Sequence, residues 1–127
     1  MATRRFGRGS TKVDSLRAMK PRDMRDLVRF DDEAARTEVL FETERIWSQL
    51  ICLQGAQDIG TIADKASDAI VSVLAGEVAV QVGKGRTRMS QWHAVLVPAG
   101  TELTIRNASE EPAVVQVTTA PPPAPSF

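Results

Sequence analysis

The stretch PAGTELTIRN, residues 98–107, decides the fold of this chain. Its proline and its glycine supply a turn, and the alternation that follows places Leu103 and Ile105 on the same face of a short strand. We expect that face to point into the protein interior. Asn107 closes the strand, where its side chain can bond nearby backbone and form the next turn. The segment therefore predicts a turn, a strand with one buried face, and a second turn.

Short apolar runs of the same kind repeat on both sides of this stretch, at a spacing of roughly 8 to 12 residues that is typical of sandwiches and barrels. The run DAIVSVLAGEVAVQVG, residues 68–83, alternates β-branched residues on either side of a Gly-Glu turn and predicts a β-hairpin. Further candidate strands are TEVLFET, RIWSQLICLQ, HAVLVPAG and PAVVQVTTA. The one helical candidate is PRDMRDLVRF, residues 21–30, for which an edge strand is the alternative.

Length and composition indicate one globular domain. The chain has 127 residues, of which 43% are apolar and 25% charged, and such a length can bury a core without metal or disulfides. No apolar run approaches the roughly 20 residues that span a bilayer, and no signal-peptide pattern follows the basic start. The single cysteine, Cys52, lies in an apolar run and suits a buried thiol. We expect a cytoplasmic protein that makes no contact with a membrane.

The two ends of the chain differ from its middle in charge and composition. Residues 1–30 hold nine basic and three acidic side chains, a net +6, so the remainder carries −6 because the total is zero. A basic arm of this kind can contact phosphates, but no helix-turn-helix pattern or aromatic platform accompanies it, and we do not expect a nucleic-acid partner. We divide the chain into a flexible basic arm at 1–20, a barrel at 21–120 and a proline-rich tail at 121–127.

From about Glu38 to Ala120 the chain resembles the cupins. The second cupin motif looks like P-x-G-x2-H-x3-N. The matching positions here are Pro98, Gly100 and Asn107, with Leu103 in place of the histidine. The run VLAG at 73–76 resembles the V-L-x-G turn that closes the first motif. The resemblance implies an all-β fold, the cupin-type double-stranded β-helix or jelly-roll barrel of RmlC-like proteins, as a single domain.

The ligands of metal-binding cupins are missing from this sequence. The resemblance implies three histidines and one glutamate that converge on the barrel interior. The corresponding positions hold Ala69, Leu103 and, depending on the gap, either Ile62 and Asp64 or Ala63 and Lys65. His93 falls in the turn before the second motif, at the wrong end of the strand, so we interpret it as a surface residue. We therefore expect no metal and no cofactor.

We expect the barrel interior to bind a small organic molecule, independently of metal, with no residue assigned to catalysis. The candidate ligand-binding residues are Trp47, Gln49, Ile51, Ala63, Ala69, Val71, Leu103 and Ile105. Ser72 and Gln116 are further candidate polar contacts. One alternative is a metal-free enzyme of isomerase, epimerase or cyclase type, whose base would be Asp64, Asp68 or Lys65. A weaker alternative is a ligand-sensing regulator that acts through the basic arm.

Assembly is predicted from the exposed sheet edges that an open jelly roll leaves. Small cupins resemble dimers that pair N-terminal strands across a two-fold axis. We expect a homodimer in which TEVLFET and the segment before it supply interface strands. The apolar residues assigned to the interface are Val39, Leu40, Phe41, Ile46 and Trp47. The alternative is that these residues complete the barrel of their own chain.

Overall fold

A computed structural model describes residues 20–123 of the chain, and these residues form almost entirely β structure. The strands are β1 (Arg36–Glu42), β2 (Trp47–Leu53), β3 (Asp58–Ile62), β4 (Asp68–Ala75), β5 (Glu77–Val82), β6 (Gly85–Ser90), β7 (Ala94–Val97), β8 (Leu103–Arg106) and β9 (Ala113–Ala120). A single 3₁₀ turn, Met24–Leu27, precedes them within the described residues.

The nine strands form two antiparallel sheets that face each other. The five-stranded sheet has the order β1-β2-β9-β4-β7 and the four-stranded sheet the order β3-β8-β5-β6. One hydrophobic core draws side chains from both sheets, among them Ile51 and Val71 from the first and Val80 and Ile105 from the second. This arrangement confirms the all-β jelly-roll fold predicted from the sequence.

The hairpin predicted at residues 68–83 is wrong, although both of its strands exist. β4 pairs with β7 and β9, whereas β5 pairs with β6 and β8, so the chain crosses from one sheet to the other between them. Gly76 makes this crossing at a φ of +78°, which glycine adopts without a steric penalty. The alternation itself is confirmed, because Val78 and Val80 point into the core.

Two strands were not predicted. β3, residues 58–62, contains Gly60 and follows Gly55, so its sequence carries little of the apolar alternation that predicts a strand. β6 has the sequence GRTRMS and buries one side chain alone, that of Met89, so it carries little apolar periodicity. Both are edge strands of the four-stranded sheet, so each pairs with one neighbouring strand only, and a polar face of such a strand can remain in water.

The helical candidate at residues 21–30 forms only a short 3₁₀ turn, which begins where the carboxylate of Asp23 accepts the backbone N–H of Arg25 at 3.0 Å. The apolar side chains of this segment pack on the outer face of the five-stranded sheet. Met24, Leu27, Val28 and Phe30 contact a cluster made by Leu50, Cys52 and Val114. The apolar residues of this segment therefore do pack on the protein, but they do so with a single turn of 3₁₀ helix and not with a longer helix.

The jelly roll has two ends that differ in packing. At the closed end, the side chain of Asn107 is fully buried and donates to the carbonyls of Leu53 and Glu111 at 3.0 and 2.7 Å. Its own carbonyl accepts the N–H of Ser109 at 3.0 Å, so Asn107 forms the turn that its position predicted. The open end carries the turn at Pro98–Thr101 and the chain that leads from β3 to β4.

The described residues contain no helix long and apolar enough to cross a membrane. The boundaries proposed for the arm, barrel and tail stay predictions. Residues 1–19 and 124–127, which hold most of the arm and of the tail, lie outside the described part of the chain.

Candidate functional site

A cavity of about 220 Å³ opens between the two sheets at the open end. β2, β4 and β9 of the five-stranded sheet form one wall, while the end of β3, the start of β8 and the 98–101 turn form the other. The lining residues are Trp47, Gln49, Ile62, Ala63, Asp64, Ser67, Ala69, Val97, Pro98, Thr101, Leu103, Val117, Thr119 and Pro123.

The structure brings five of the eight predicted ligand-binding residues to this cavity. They are Trp47, Gln49, Ala63, Ala69 and Leu103. The other three, Ile51, Val71 and Ile105, are fully buried in the core between the sheets and do not line the cavity. As expected, they lie on the inward face of their strands. They lie further from the open end than the cavity does, where side chains from the two sheets pack against each other.

Two polar residues considered for the interior lie on the opposite face of their strands. Ser72 and Gln116 are register partners on β4 and β9, and their side chains share the outer face of the five-stranded sheet. The amide of Gln116 donates to the hydroxyl of Ser48 at 3.1 Å on that face. Because the side-chain period of a strand is two, a one-residue difference in position moves a side chain from the cavity to the outside.

Small side chains create the space. Ala69 stands at the position of the glutamate that the resemblance to the cupins implies, and neither its methyl group nor that of Ala63 fills the gap between the sheets. Leu103, which replaces a histidine of the motif, is buried at 3% exposure and forms an apolar part of the lining. The mouth is held by a backbone hydrogen bond of 2.7 Å from the N–H of Gly100 to the carbonyl of Asp64. The result is an open, mainly apolar recess with a fixed rim.

Among the three residues considered as a base, only Asp64 reaches the cavity. It is half-buried, and its Oδ1 accepts the backbone N–H of Ala66 at 2.8 Å. The carboxylate of Asp68 instead accepts the N–H of Ala99 at 2.9 Å and so fastens β4 to the 98–101 turn. Lys65 is exposed and does not line the cavity.

The residues present at the cavity do not fit a transition metal. Such a metal requires several imidazole, thiolate or carboxylate groups at about 2.0 to 2.3 Å, and Asp64 is the one group of this kind that the described residues place in the lining. Among residues 20–123, no three His, Cys, Asp or Glu side chains come close enough to share an ion. His93 is exposed on the turn before β7, where its Nδ1 accepts the N–H of Ser90 at 2.9 Å.

Several lining residues were missed by sequence reasoning. Val117 and Thr119 of β9 enter the cavity because they pair with Gln49 and Trp47 of β2. Once β2 and β9 are paired, alternation alone places these side chains on the cavity face. Thr101 and Ser67 lie in turns, where no sequence periodicity indicates the direction of a side chain.

Comparison with known families matches residues 49–119, the region that supplies most of this cavity, to the Cupin domain. The chain belongs to the cupin family. The matched region runs from β2 to β9, so the family pattern covers the two sheets and the cavity between them. A search of functionally curated proteins gives no match to this cupin.

Solved structures of similar proteins agree with the fold. TT1209 from Thermus thermophilus is 32% identical and superposes with a TM-score of 0.80, covering 83% of this chain and 100% of its own. An RmlC-like cupin protein from Desulfovibrio desulfuricans is 24% identical, with a TM-score of 0.73 over 82% of this chain and 98% of its own. An uncharacterized protein with a double-stranded β-helix domain from Klebsiella pneumoniae is 18% identical, with a TM-score of 0.75 over 80% of this chain and 90% of its own.

Proposed function

We propose that this cupin is a metal-independent binding protein that holds a small organic molecule in the cavity at its open end. The observation that supports the proposal is the cavity of about 220 Å³, walled mainly by apolar side chains with a few polar groups at fixed positions. This volume is slightly below that of cavities for drug-sized ligands, which start at about 300 Å³. The ligand is therefore expected to be smaller than a drug-sized molecule.

The polar groups that would orient a ligand are few. Gln49, Thr119 and Thr101 project neutral donors and acceptors, and Asp64 projects a carboxylate. The hydroxyl of Ser67 is already used, since it donates to the carbonyl of Pro121 at 2.6 Å. Shape and a small number of hydrogen bonds, with Trp47 as the largest contact surface, would then supply the affinity.

A thermal-shift screen of the purified protein against a few hundred small metabolites and divalent metals tests the proposal, with elemental analysis of the same sample. We expect one chemical class of organic molecule to raise the melting temperature and no metal at one per chain. The variant Ala69→Leu fills the cavity and should abolish the response. Ala94→Leu is its control, because Ala94 is exposed on the outer face. A metal at one per chain, or hits that survive Ala69→Leu, would contradict the proposal.

A metal-free enzyme is the second candidate, and Asp64 is the observation that favours it. A half-buried carboxylate on the wall of a cavity can abstract a proton from a bound molecule, as an isomerase, epimerase or cyclase requires. Any hit from the screen can be incubated with the protein in deuterated water and followed by NMR. Exchange of a carbon-bound proton that disappears in Asp64→Asn would support this function, and absence of exchange with every hit would contradict it.

We further propose that the protein is a homodimer that uses β1 and the chain that follows it. β1 is an edge strand, and Val39, Phe41 and Ile46 are 46%, 47% and 40% exposed. Of the other residues assigned to the interface, Leu40 is buried within its own chain and Trp47 lines the cavity. Three exposed apolar side chains on one edge favour a partner that covers them.

Light scattering at micromolar concentration tests the dimer. We expect the mass of two chains for the native protein and of one chain for Phe41→Glu. Leu96→Glu is the matched control, because Leu96 is 57% exposed on β7 at the other edge of the same sheet. A native monomer, or equal dissociation by both variants, would contradict an interface on β1.

The cytoplasm is the proposed compartment. Cys52 is a free, buried thiol, which suits a reducing environment. Fractionation of the native cells with an antibody against the chain tests this, and recovery outside the cytoplasmic fraction would contradict it.

A further inference from the structure

Within residues 20–123, the wall of the cavity carries one ionisable side chain, and it is negative. Asp64 is the sole Asp, Glu, Lys, Arg or His in the lining among the described residues. Its position is fixed at two points, since its Oδ1 accepts the N–H of Ala66 and its backbone carbonyl accepts the N–H of Gly100. A ligand that enters the cavity therefore meets a fixed carboxylate in a partly desolvated recess.

The charge of Asp64 is not neutralised by a neighbouring cation in the described part of the chain. The ion pairs found there are Asp23–Arg25, Arg36–Glu38 and Glu77–Arg88, and none includes Asp64. Lys65, the next residue, is exposed and is not among these pairs. Coulomb attraction in such a recess favours a positive ligand and disfavours a carboxylate or phosphate.

Two further carboxylates lie on β1 and β4, next to elements that line the cavity, while the basic Lys65 beside Asp64 is exposed. Glu42 is the register partner of Trp47 across β1 and β2, so its side chain lies beside the tryptophan on the cavity-facing side. The carboxylate of Asp68 lies at the rim, where it accepts the N–H of Ala99. Residues 20–123 contribute no basic side chain to the lining itself.

Trp47 supplies the second element that recognises a cation. It reaches the cavity from the five-stranded sheet, whereas Asp64 follows β3 of the four-stranded sheet, so the two side chains approach the cavity from different sheets. An ammonium group is attracted both by a carboxylate and by the face of an indole ring. A neutral polar ligand would use neither of these two contacts fully.

We propose that the cavity binds a small organic cation, an amine whose charged nitrogen lies between the carboxylate of Asp64 and the ring of Trp47. This inference rests on the proposed function, because it names the ligand class for the same cavity. The apolar part of the ligand packs against Val97, Leu103 and Val117. At roughly 30 Å³ per water molecule, the cavity holds the volume of about seven waters, which suits a molecule with one small ring or a short branched chain.

The fluorescence of Trp47 reports on binding. The chain has two tryptophans, and Trp92 is 81% exposed on a turn, so Trp92→Phe leaves Trp47 as the single reporter. The probes are benzylamine, which is protonated at neutral pH, benzyl alcohol and benzoate, which are close in size and differ in charge. We expect benzylamine to bind about tenfold or more tightly than benzyl alcohol, the effect of one ion pair in a partly exposed site, and benzoate not to bind.

Asp64→Asn in the same background tests the role of the charge. It keeps an oxygen that can accept the N–H of Ala66, so the fold is expected to persist, and the melting temperature checks this. Benzylamine should then bind no better than benzyl alcohol. Asp58→Asn is the control, since Asp58 is exposed at the start of β3 and outside the lining. It should keep the preference.

The outcomes separate this inference from the function on which it rests. If benzyl alcohol or benzoate binds as tightly as benzylamine, or if Asp64→Asn keeps the preference for benzylamine, the proposal of a cationic ligand is overturned. The proposed binding function then still stands. A second outcome is that no probe changes the fluorescence of Trp47 but the metabolite screen yields neutral or anionic ligands whose binding is abolished by Ala69→Leu. In that case, too, only the proposal of a cationic ligand is overturned. If the screen also yields nothing, both proposals fail.

Discussion

β2 passes through both ends of the jelly roll, and its two halves have different environments. Trp47 and Gln49 are half-buried and line the cavity, whereas Ile51 and Leu53 are fully buried in the core. All four side chains lie on the inward face of one regular strand. The difference comes from what faces them, because side chains of the two sheets meet in the core at one end, whereas a cavity remains between them at the other, where Ala63 and Ala69 are among the lining residues. A binding site in this fold is thus a place where the packing between two sheets is left incomplete.

The difference in packing between the closed and the open end should have its largest effect on stability when one isoleucine from each end is truncated to alanine. Ile105 is fully buried on β8, whereas Ile62 at the end of β3 is 39% exposed and lines the cavity. Ile105→Ala should lower the free energy of unfolding by about 2–5 kcal/mol, and Ile62→Ala by less than about 1 kcal/mol. Urea unfolding of the two variants measures both values. Equal losses would show that the open end is packed as tightly as the closed end.

Two turn glycines give a second matched pair. Gly76 at the closed end and Gly100 at the open end have φ values of +78° and +82°. A Cβ on Gly76 would lie 2.5 Å from the carbonyl oxygen of Pro112, whereas one on Gly100 would meet no described atom within 4 Å. The backbone strain alone costs about 1–2 kcal/mol, so we expect that loss for Gly100→Ala.

For Gly76→Ala the contact with Pro112 adds to the strain, and we expect a total loss of about 2–4 kcal/mol. Thermal and urea unfolding of both variants give the comparison. A loss for Gly100→Ala as large as that for Gly76→Ala would mean that the positive φ, rather than the packing of the closed end, sets the cost.

The fold was predictable from the sequence because its signals are local. The structure has the turn, strand and second turn predicted from Pro98 to Asn107, and it has the alternation predicted at Val78 and Val80. The crossing at Gly76 was mistaken for a hairpin turn, since a glycine turn between two apolar runs looks the same whether the next strand pairs with the last or enters another sheet. β3 and β6 were missed because edge strands with a polar face have weak apolar periodicity.

The site was predictable only in part. Face assignment by alternation placed Trp47, Gln49 and Leu103 at the cavity, and it placed Ile51 and Ile105 on the same inward side. Depth along the barrel was not readable, because it depends on the side chains that the opposite sheet supplies. Whether any of these residues binds a ligand stays a prediction.

The buried amide of Asn107 offers a smaller test of the closed end. Asn107→Ala removes the two donors that satisfy the carbonyls of Leu53 and Glu111 and the acceptor for Ser109. Unsatisfied buried groups cost about 1–3 kcal/mol, and we expect a loss in that range by urea unfolding. Thr104→Ala is the control, because Thr104 is half-buried on the outer face of β8, the strand that precedes Asn107, and it should change the stability by less than about 0.5 kcal/mol. Equal effects would contradict a structural role for the amide.

The smallest effect concerns the outer side of the closed end, where Cys52 lies beneath Met24, Leu27 and Val28. Burial raises the pKa of the Cys52 thiol above its ordinary value of 9.0, although the backbone of Arg29 opposes part of this shift. The folded protein therefore keeps a proton that the unfolded chain loses. This contribution to stability is fully present below pH 9.0 and is lost as the pH rises from there through the folded-state pKa.

Two measurements check the behaviour of Cys52. A thiol reagent at about pH 8 should modify it much more slowly in the folded protein than in urea, because both access and thiolate are lacking in the fold. As the pH rises above 9.0, the free energy of unfolding should fall more steeply in the native protein than in Cys52→Ala, whose chain cannot lose this proton. Equal slopes, together with fast modification of the folded protein, would mean that the segment at residues 20–30 does not seal the outer face. The contrast between a closed and an open end would then hold for the interior of the jelly roll alone.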